Sequence, residues 1–194
     1  MQVQINLLIS EKEKLGAQCK MNYKETIKRV MEELASDEKV RFIGYNLKRG
    51  SKAYGTLSNI PESRILEMPI AENLMAGMAM GMALEKYKPV LIFERHDFML
   101  NALDSLVNHL DKISLLSKNE YTAPILIRAV VGSLNPINPG PQHDQDFSEF
   151  FKKIFHFSVY DPKNSTELES ALEDGKRFEH PVMIIERRDL YNQE

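Results

Sequence analysis

The chain has 194 residues, 43% of them hydrophobic, and its 25 Lys and Arg are interspersed with 28 Asp and Glu for a net charge of -3. That length and apolar content fit one domain with a sizeable core, and the dispersed charge leaves no electrostatic footprint for nucleic acid. The single cysteine, Cys19, excludes an internal disulfide and a cysteine-based zinc site and fits a reducing, cytoplasmic setting; no run reaches membrane-spanning length, and the apolar start Met1 to Ile9 lacks the marks of a secretory signal.

Residues 1–21 carry Glu11-Lys12-Glu13-Lys14 and precede the first strong helix signal, so they read as an N-terminal arm, with 22–194 as one domain. Asn22, with Glu25 three residues on, caps a helix over about 23–35 whose Ile27, Val30, Met31 and Leu34 recur on one helical face. Val40 to Gly44 reads as a short strand, and the polar loop through Gly50 and Gly55 suits a binding edge more than a core. A second strand, about 64–68, runs into Pro69-Ile70-Ala71-Glu72, where a Pro-initiated turn sets an acid in the first turn of a buried Ala/Met/Gly helix. Gly77 and Gly81 share a face of that helix and cost about 1 kcal/mol each relative to Ala, which predicts close approach of another backbone, or a site.

Pro89 to Phe93 is a continuous apolar strand, and Asp97 starts a long helix directing Leu100, Leu103, Val107, Leu110 and Leu116 to the core. Pro124 to Val131 is another buried strand, followed by a turn-rich loop, Gly132 to Asp146, with three prolines, two glycines and His143. A short helix, a strand over Phe157 to Tyr160, a helix capped by Ser165 or Thr166 and ending near Phe178, and a strand from Pro181 to Glu186 complete the chain. Continuous apolar strands alternating with helices mean burial on both faces, so the expected fold is α/β: three α/β/α layers around a mostly parallel sheet of about six strands. Ligands bind such sheets at the carboxyl ends of the strands, where Glu72, the segment Glu94 to Phe98 and the His143 loop are expected to converge. Common signatures are absent: no GxGxxG, no GxxxxGK(S/T), no HExxH, no GxSxG, and no metal-ligand spacing among the five histidines.

Four stretches, taken together, resemble a known family over residues 22–191. They are Pro69-Ile70-Ala71-Glu72 before the Gly77/Gly81 helix; Asp97-Phe98 with Ala102-Leu103-Asp104-Ser105-Leu106-Val107-Asn108; Gly140-Pro141-Gln142-His143-Asp144-Gln145; and Pro181-Val182-Met183-Ile184-Ile185-Glu186 with Arg188-Asp189-Leu190-Tyr191. The chain resembles the pyrimidine-binding domain of thiamine-diphosphate enzymes, nearest the beta chain of 2-oxo acid dehydrogenase E1 and more distantly the middle domain of transketolase. The resemblance implies the pyrimidine-binding type of the thiamine-diphosphate-binding fold.

It also implies roles. Glu72 would bond to N1' of the cofactor's aminopyrimidine, which requires a carboxyl group shielded from water and able to share a proton. Phe98 would stack on the pyrimidine and Ile70 line the same pocket. His143 would face the substrate or acyl acceptor, where a side chain titrating near neutral pH binds a carboxylate or passes a proton. Gln142 and His96 fall on the substrate side; His96 stands where the family usually has a small residue, and Glu94-Arg95 replaces less charged residues, which leaves the substrate open. Taken singly, these residues have plainer readings: a first-turn glutamate complementing the helix dipole, a core phenylalanine and a solvated loop histidine.

The chain has no GDG motif, which in this family, with a downstream Asn, holds the diphosphate through magnesium, and it stops where the family's beta chain continues into a further domain. The resemblance therefore implies a split enzyme. In it a separate diphosphate-binding alpha-like chain carries magnesium, and a homodimer of this chain sits within a heterotetramer. The reaction would be 2-oxo acid decarboxylation or transketolase-like two-carbon transfer from a ketose, with little activity from this chain alone. The alternative is a non-catalytic regulatory or binding module that pairs with an active homologue; a third possibility is a single-chain protein that binds thiamine diphosphate unaided.

Overall fold

Asn22 caps the first helix through its side chain, whose Oδ1 accepts the Glu25 N–H at 2.9 Å, and α1 (Tyr23–Ala35) buries Ile27, Val30, Met31 and Leu34 along one stripe. The computed structural model describes residues 22–132 and 138–191, so the arm at 1–21 lies outside the described residues. After α1 come β1 (Val40–Gly44), β2 (Ile65–Glu67), α2 (Glu72–Leu84) and β3 (Lys88–Phe93). A helical segment from Phe98 to Leu116 ends in a single turn, α3 (Ile113–Leu116); β4 (Leu126–Val131), α4 (Ser148–Ile154), β5 (Ser158–Tyr160), α5 (Ser165–Gly175) and β6 (Val182–Arg187) follow.

The six strands form one sheet in the order β2-β1-β3-β4-β6-β5, with every neighbouring pair parallel. Side chains alternate along the strands, which divides the core in two. On one face Phe42, Val90, Ile92, Leu126, Val182 and Ile184 meet α1 and α5; on the other Ile43, Leu91, Phe93, Ile127, Met183 and Ile185 meet α2, the Phe98–Leu116 segment and α4. This is the expected three-layer α/β/α arrangement. Because β2 lies outside β1 and the chain then crosses back to β3 on the other side, the strand order reverses between β1 and β3, and the crevice beyond their carboxyl ends is the natural ligand site.

Three expectations change. The segment after Asp97 is not one α-helix: Phe98–Ala102 is a 3₁₀ turn and Asp104–Leu110 a π-helix. Met99, Ala102, Leu106 and Leu110 are buried, whereas Leu100 and Leu116 face outward. Two apolar stripes one residue apart both have helical spacing here, and the tight and wide turns rotate the first of them onto the sheet. The cap of α5 is Asn164, not Ser165 or Thr166, because Asn164 is extended and its Oδ1 accepts the Glu167 N–H at 2.9 Å; the helix ends at Gly175. Finally, the loop after β1 is not mainly a solvated edge, since it buries Leu47, Ala53, Leu57 and Ile60 in the α1-side core.

Candidate active site

Three strand ends build the site. β2 runs through Met68 into α2, and Glu72 in its first turn is only 4% exposed. Its Oε2 accepts a long hydrogen bond from Asn101 Nδ2 at 3.4 Å, while Oε1 is buried without a partner. The helix N-terminus favours the carboxylate, but a buried oxygen without a partner is costly, so Oε1 is left free to accept a hydrogen bond. The start of α2 is fixed against the π-helix, where Ser105 Oγ donates to Asn73 Oδ1 at 2.7 Å.

Tyr45 and Asn46 follow the end of β1, and Glu94 follows the end of β3, so these residues flank the reversal of strand order. Asn46 stands in the left-handed region at φ 58, and its Nδ2 donates to Glu94 Oε2 at 3.2 Å. Glu94 is 8% exposed and its Oε1 has no partner. Burial raises its pKa, outweighing the Asn46 hydrogen bond and the charge of Arg95. The Tyr45 hydroxyl is raised too, first by burial and then by the charges of Glu72 and Glu94. Tyr54, from the same loop, donates its hydroxyl to the Glu94 carbonyl at 3.0 Å under the Arg188 guanidinium, 3.8 Å from its ring.

The third element is the loop after β4. Arg95 Nη1 donates to the His143 carbonyl at 2.8 Å, the Gln145 N–H donates to Asp97 Oδ1 at 3.1 Å, and His96 Nε2 lies 2.7 Å from the Gln145 carbonyl. Gly132, just past β4, makes the approach possible, because a Cβ there would lie 2.1 Å from the His143 oxygen. The loop turns at Gly140, φ 86, where the His143 N–H donates to the Gly140 carbonyl at 3.0 Å. His143 is thereby brought to Phe98: their ring centroids are 5.2 Å apart at 80°.

The structure thus brings Glu72, Phe98 and His143 to the same edge of the sheet, but it does not treat every expected residue alike. Ile70 is 74% exposed and Gln142 is exposed. His96 has no exposed surface to offer a substrate in this conformation: its ring packs against Phe147 and Phe151, and burial lowers its pKa. Nε2 lies 2.7 Å from the Gln145 carbonyl and 3.3 Å from the Phe147 backbone nitrogen, and Nδ1 has no partner. Tyr45, Asn46 and Asn101 were not anticipated; applying the switch-point rule to the end of β1 would have found the first two. Among the described residues no group of three or more His, Cys, Asp or Glu is set to hold a metal ion, and no helix is long and apolar enough to cross a membrane.

Residues 19–194 match the family described as "Transketolase, pyrimidine binding domain". The chain belongs to that family. It is similar to the mitochondrial pyruvate dehydrogenase E1 component subunit beta of Saccharomyces cerevisiae, 30% identical over 89% of this chain and 48% of that protein. The counterpart from Homo sapiens is 28% identical over 82% of this chain and 45% of its own length. The chain thus spans about half the length of these relatives. A solved structure, "Split gene transketolase, inactive beta4 tetramer", shares the fold with a TM-score of 0.66 at 17% identity, over 87% of this chain and 52% of that one. The unpartnered Glu72 oxygen and the partly buried Phe98 ring, on the same edge of the sheet, are chemically compatible with an aminopyrimidine.

Proposed function

We propose that the chain is the pyrimidine-binding subunit of a split thiamine-diphosphate-dependent enzyme, an oxidoreductase or transferase. The observation that carries the reading is Glu72: a buried carboxylate with a free Oε1 in the first turn of α2, in a chain of the transketolase pyrimidine-binding family. Thiamine diphosphate, when bound, supplies the electron sink for making or breaking a carbon–carbon bond next to a carbonyl. Glu72 Oε1 would share a proton with N1' of the aminopyrimidine, and its burial would keep that proton from exchanging with bulk solvent. Phe98 offers an aromatic face to the ring, with Ile70 at the rim. His143, held by Arg95 and Gly132, binds or protonates the 2-oxo acid or ketose, with Gln142 beside it.

The diphosphate and its magnesium belong, in this reading, to a separate alpha-like chain, with a homodimer of the present chain inside a heterotetramer in the cytoplasm. The outer side of α2 supports the assembly: Ile70, Leu74 and Met78 are exposed, and a Cβ on Gly81 would meet nothing within 4 Å. The close approach implied by Gly81 is thus left for a partner, whereas Gly77 faces Ser105 of the π-helix. The test mixes the chain with an alpha-like chain, magnesium and thiamine diphosphate, and follows cofactor binding and 2-oxo acid consumption. Glu72→Ala is expected to lower turnover at least about a hundredfold. Turnover unchanged by Glu72→Ala would instead favour a regulatory module paired with an active homologue.

A further inference from the structure

Among the described residues β5 pairs only with β6, so its outer side presents a row of backbone groups without a ladder partner. Its residues are accessible: Ser158 and Val159 are half-buried and Tyr160 is 37% exposed. Beside the strand lies a cleft of about 350 Å³, lined by Val159, Tyr160 and Pro162 and by Glu167, Ser170 and Ala171 along one face of α5. Ser170 and Ala171 are small, which leaves room there for apolar side chains. The chain enters the described region at this cleft: α1 starts at Tyr23, whose buried hydroxyl donates to the Pro162 carbonyl at 3.3 Å.

The arm that precedes Tyr23 carries a strand pattern. Val3, Ile5, Leu7 and Ile9 alternate with Gln2, Gln4, Asn6 and Leu8, the period of a strand with one apolar side. The family match begins at residue 19, so the likeness to relatives does not account for this segment. From Ser10 to Met21 the chain can extend over about 40 Å, ample to join the β5 edge to the start of α1.

We propose that residues 3–9 dock in this cleft as a seventh strand, parallel to β5 and covering its open edge. The hand of the crossovers selects that edge. The connections β2 to β3, β3 to β4 and β4 to β5 move toward the β5 edge and pass over the α2 side of the sheet, whereas β5 to β6 moves back and passes over the α5 side. All have one hand, as parallel units require. Because α1 packs on the α5 side, a parallel strand feeding α1 must lie on the β5 side of β1, and the open place there is outside β5. A strand outside β2 would need the opposite hand. Parallel order also brings Ile9 to the end of β5 where Pro162 meets Tyr23.

Two measurements on the full chain test this. Hydrogen exchange is expected to show protected amides at residues 3–9, and the double variant Ile5→Asp with Leu7→Asp to remove that protection and speed exchange at Ser158–Tyr160 at least about tenfold, with β4 unchanged. Unprotected arm amides in the wild type, or β5 exchange unmoved by the double variant, overturns the proposal. In a Cys19→Ser background, a nitroxide carried on Ser170→Cys is expected to broaden the amide resonances of residues 3–9 of its own chain. Moved to Thr166→Cys, at the start of α5, the label broadens Ile9 more than Val3; the reverse order overturns the parallel arrangement. Broadening seen only when isotope-labelled chains are mixed with unlabelled, spin-labelled ones gives the cleft to the arm of a second copy. Broadening from a label on Ser63→Cys, beside β2, in place of the Ser170 label puts the arm on the other edge. Either result overturns the proposal.

Discussion

Arg128 lies wholly inside the α1-side core, and the fate of its guanidinium separates site residues from supporting ones. Nε donates to Glu186 Oε1 at 2.5 Å, Nη2 to Glu186 Oε2 at 3.0 Å and to Thr56 Oγ1 at 2.9 Å, and the Tyr191 hydroxyl donates to the same carboxylate. Glu186 and Tyr191 both belong to the stretches that carry the family resemblance, but here they hold a buried cation instead of a ligand. Losing one partner strands the other charge away from water. Glu186→Ala is therefore expected to destabilise the fold by about 3–5 kcal/mol, and the double variant Arg128→Met with Glu186→Leu by much less, measured by urea unfolding. A double variant as unstable as the single one would show that packing, not charge pairing, dominates. Glu72 and Glu94 differ from Glu186 in one respect visible only in space: each keeps an unpartnered oxygen.

At the scale of elements, the site depends on how β4 hands over to the His143 loop. Arg95, His96 and Asp97, three consecutive residues after β3, each bond the backbone of that loop, and Gly132 leaves the space they need. Gly132→Ala would push a methyl group into the His143 carbonyl and into Arg95 Nη1, which a Cβ would approach to 2.8 Å. We expect it to move His143 and reduce turnover of the assembled protein by up to about a hundredfold while leaving thiamine diphosphate affinity within about twofold. Equal loss of both would show that the loop supports the whole site and not His143 alone. The clamp explains why His96 is buried. Sequence position put it beside the pocket, but its ring is occupied in holding Gln145 and in packing on Phe147 and Phe151.

Across the whole molecule, the buried side of α2 and its outer side serve different ends. Met75, Ala76, Ala79 and Ala83 pack on the sheet, while Leu74 is 51% exposed on the opposite side, near exposed Ile70 and Met78. An apolar helix in this position is half core and half open surface, which the uniform Ala/Met/Gly composition conceals. Leu74→Glu is expected to prevent association with a like or alpha-like chain, read as a lower mass by light scattering, with the thermal midpoint changed by only a few degrees. An unchanged mass would remove this surface from the assembly.

What the sequence determined by itself was the fold class, the order of strands and helices, and the likeness that singled out Glu72, Phe98 and His143. These follow from local periodicity, capping and apolar runs, which need no knowledge of distant neighbours. Tertiary structure alone decided which of two equally spaced stripes after Asp97 turned inward, because 3₁₀ and π turns reset the helical phase. It alone joined Asn46 to Glu94 across the strand reversal, from residues 48 positions apart. It also removed His96 from the open side and left Glu94 with an unsatisfied oxygen. Burial and hydrogen-bond satisfaction are properties of a residue's neighbours in space, and a glutamate in the sequence carries no mark of whether its oxygens will find partners.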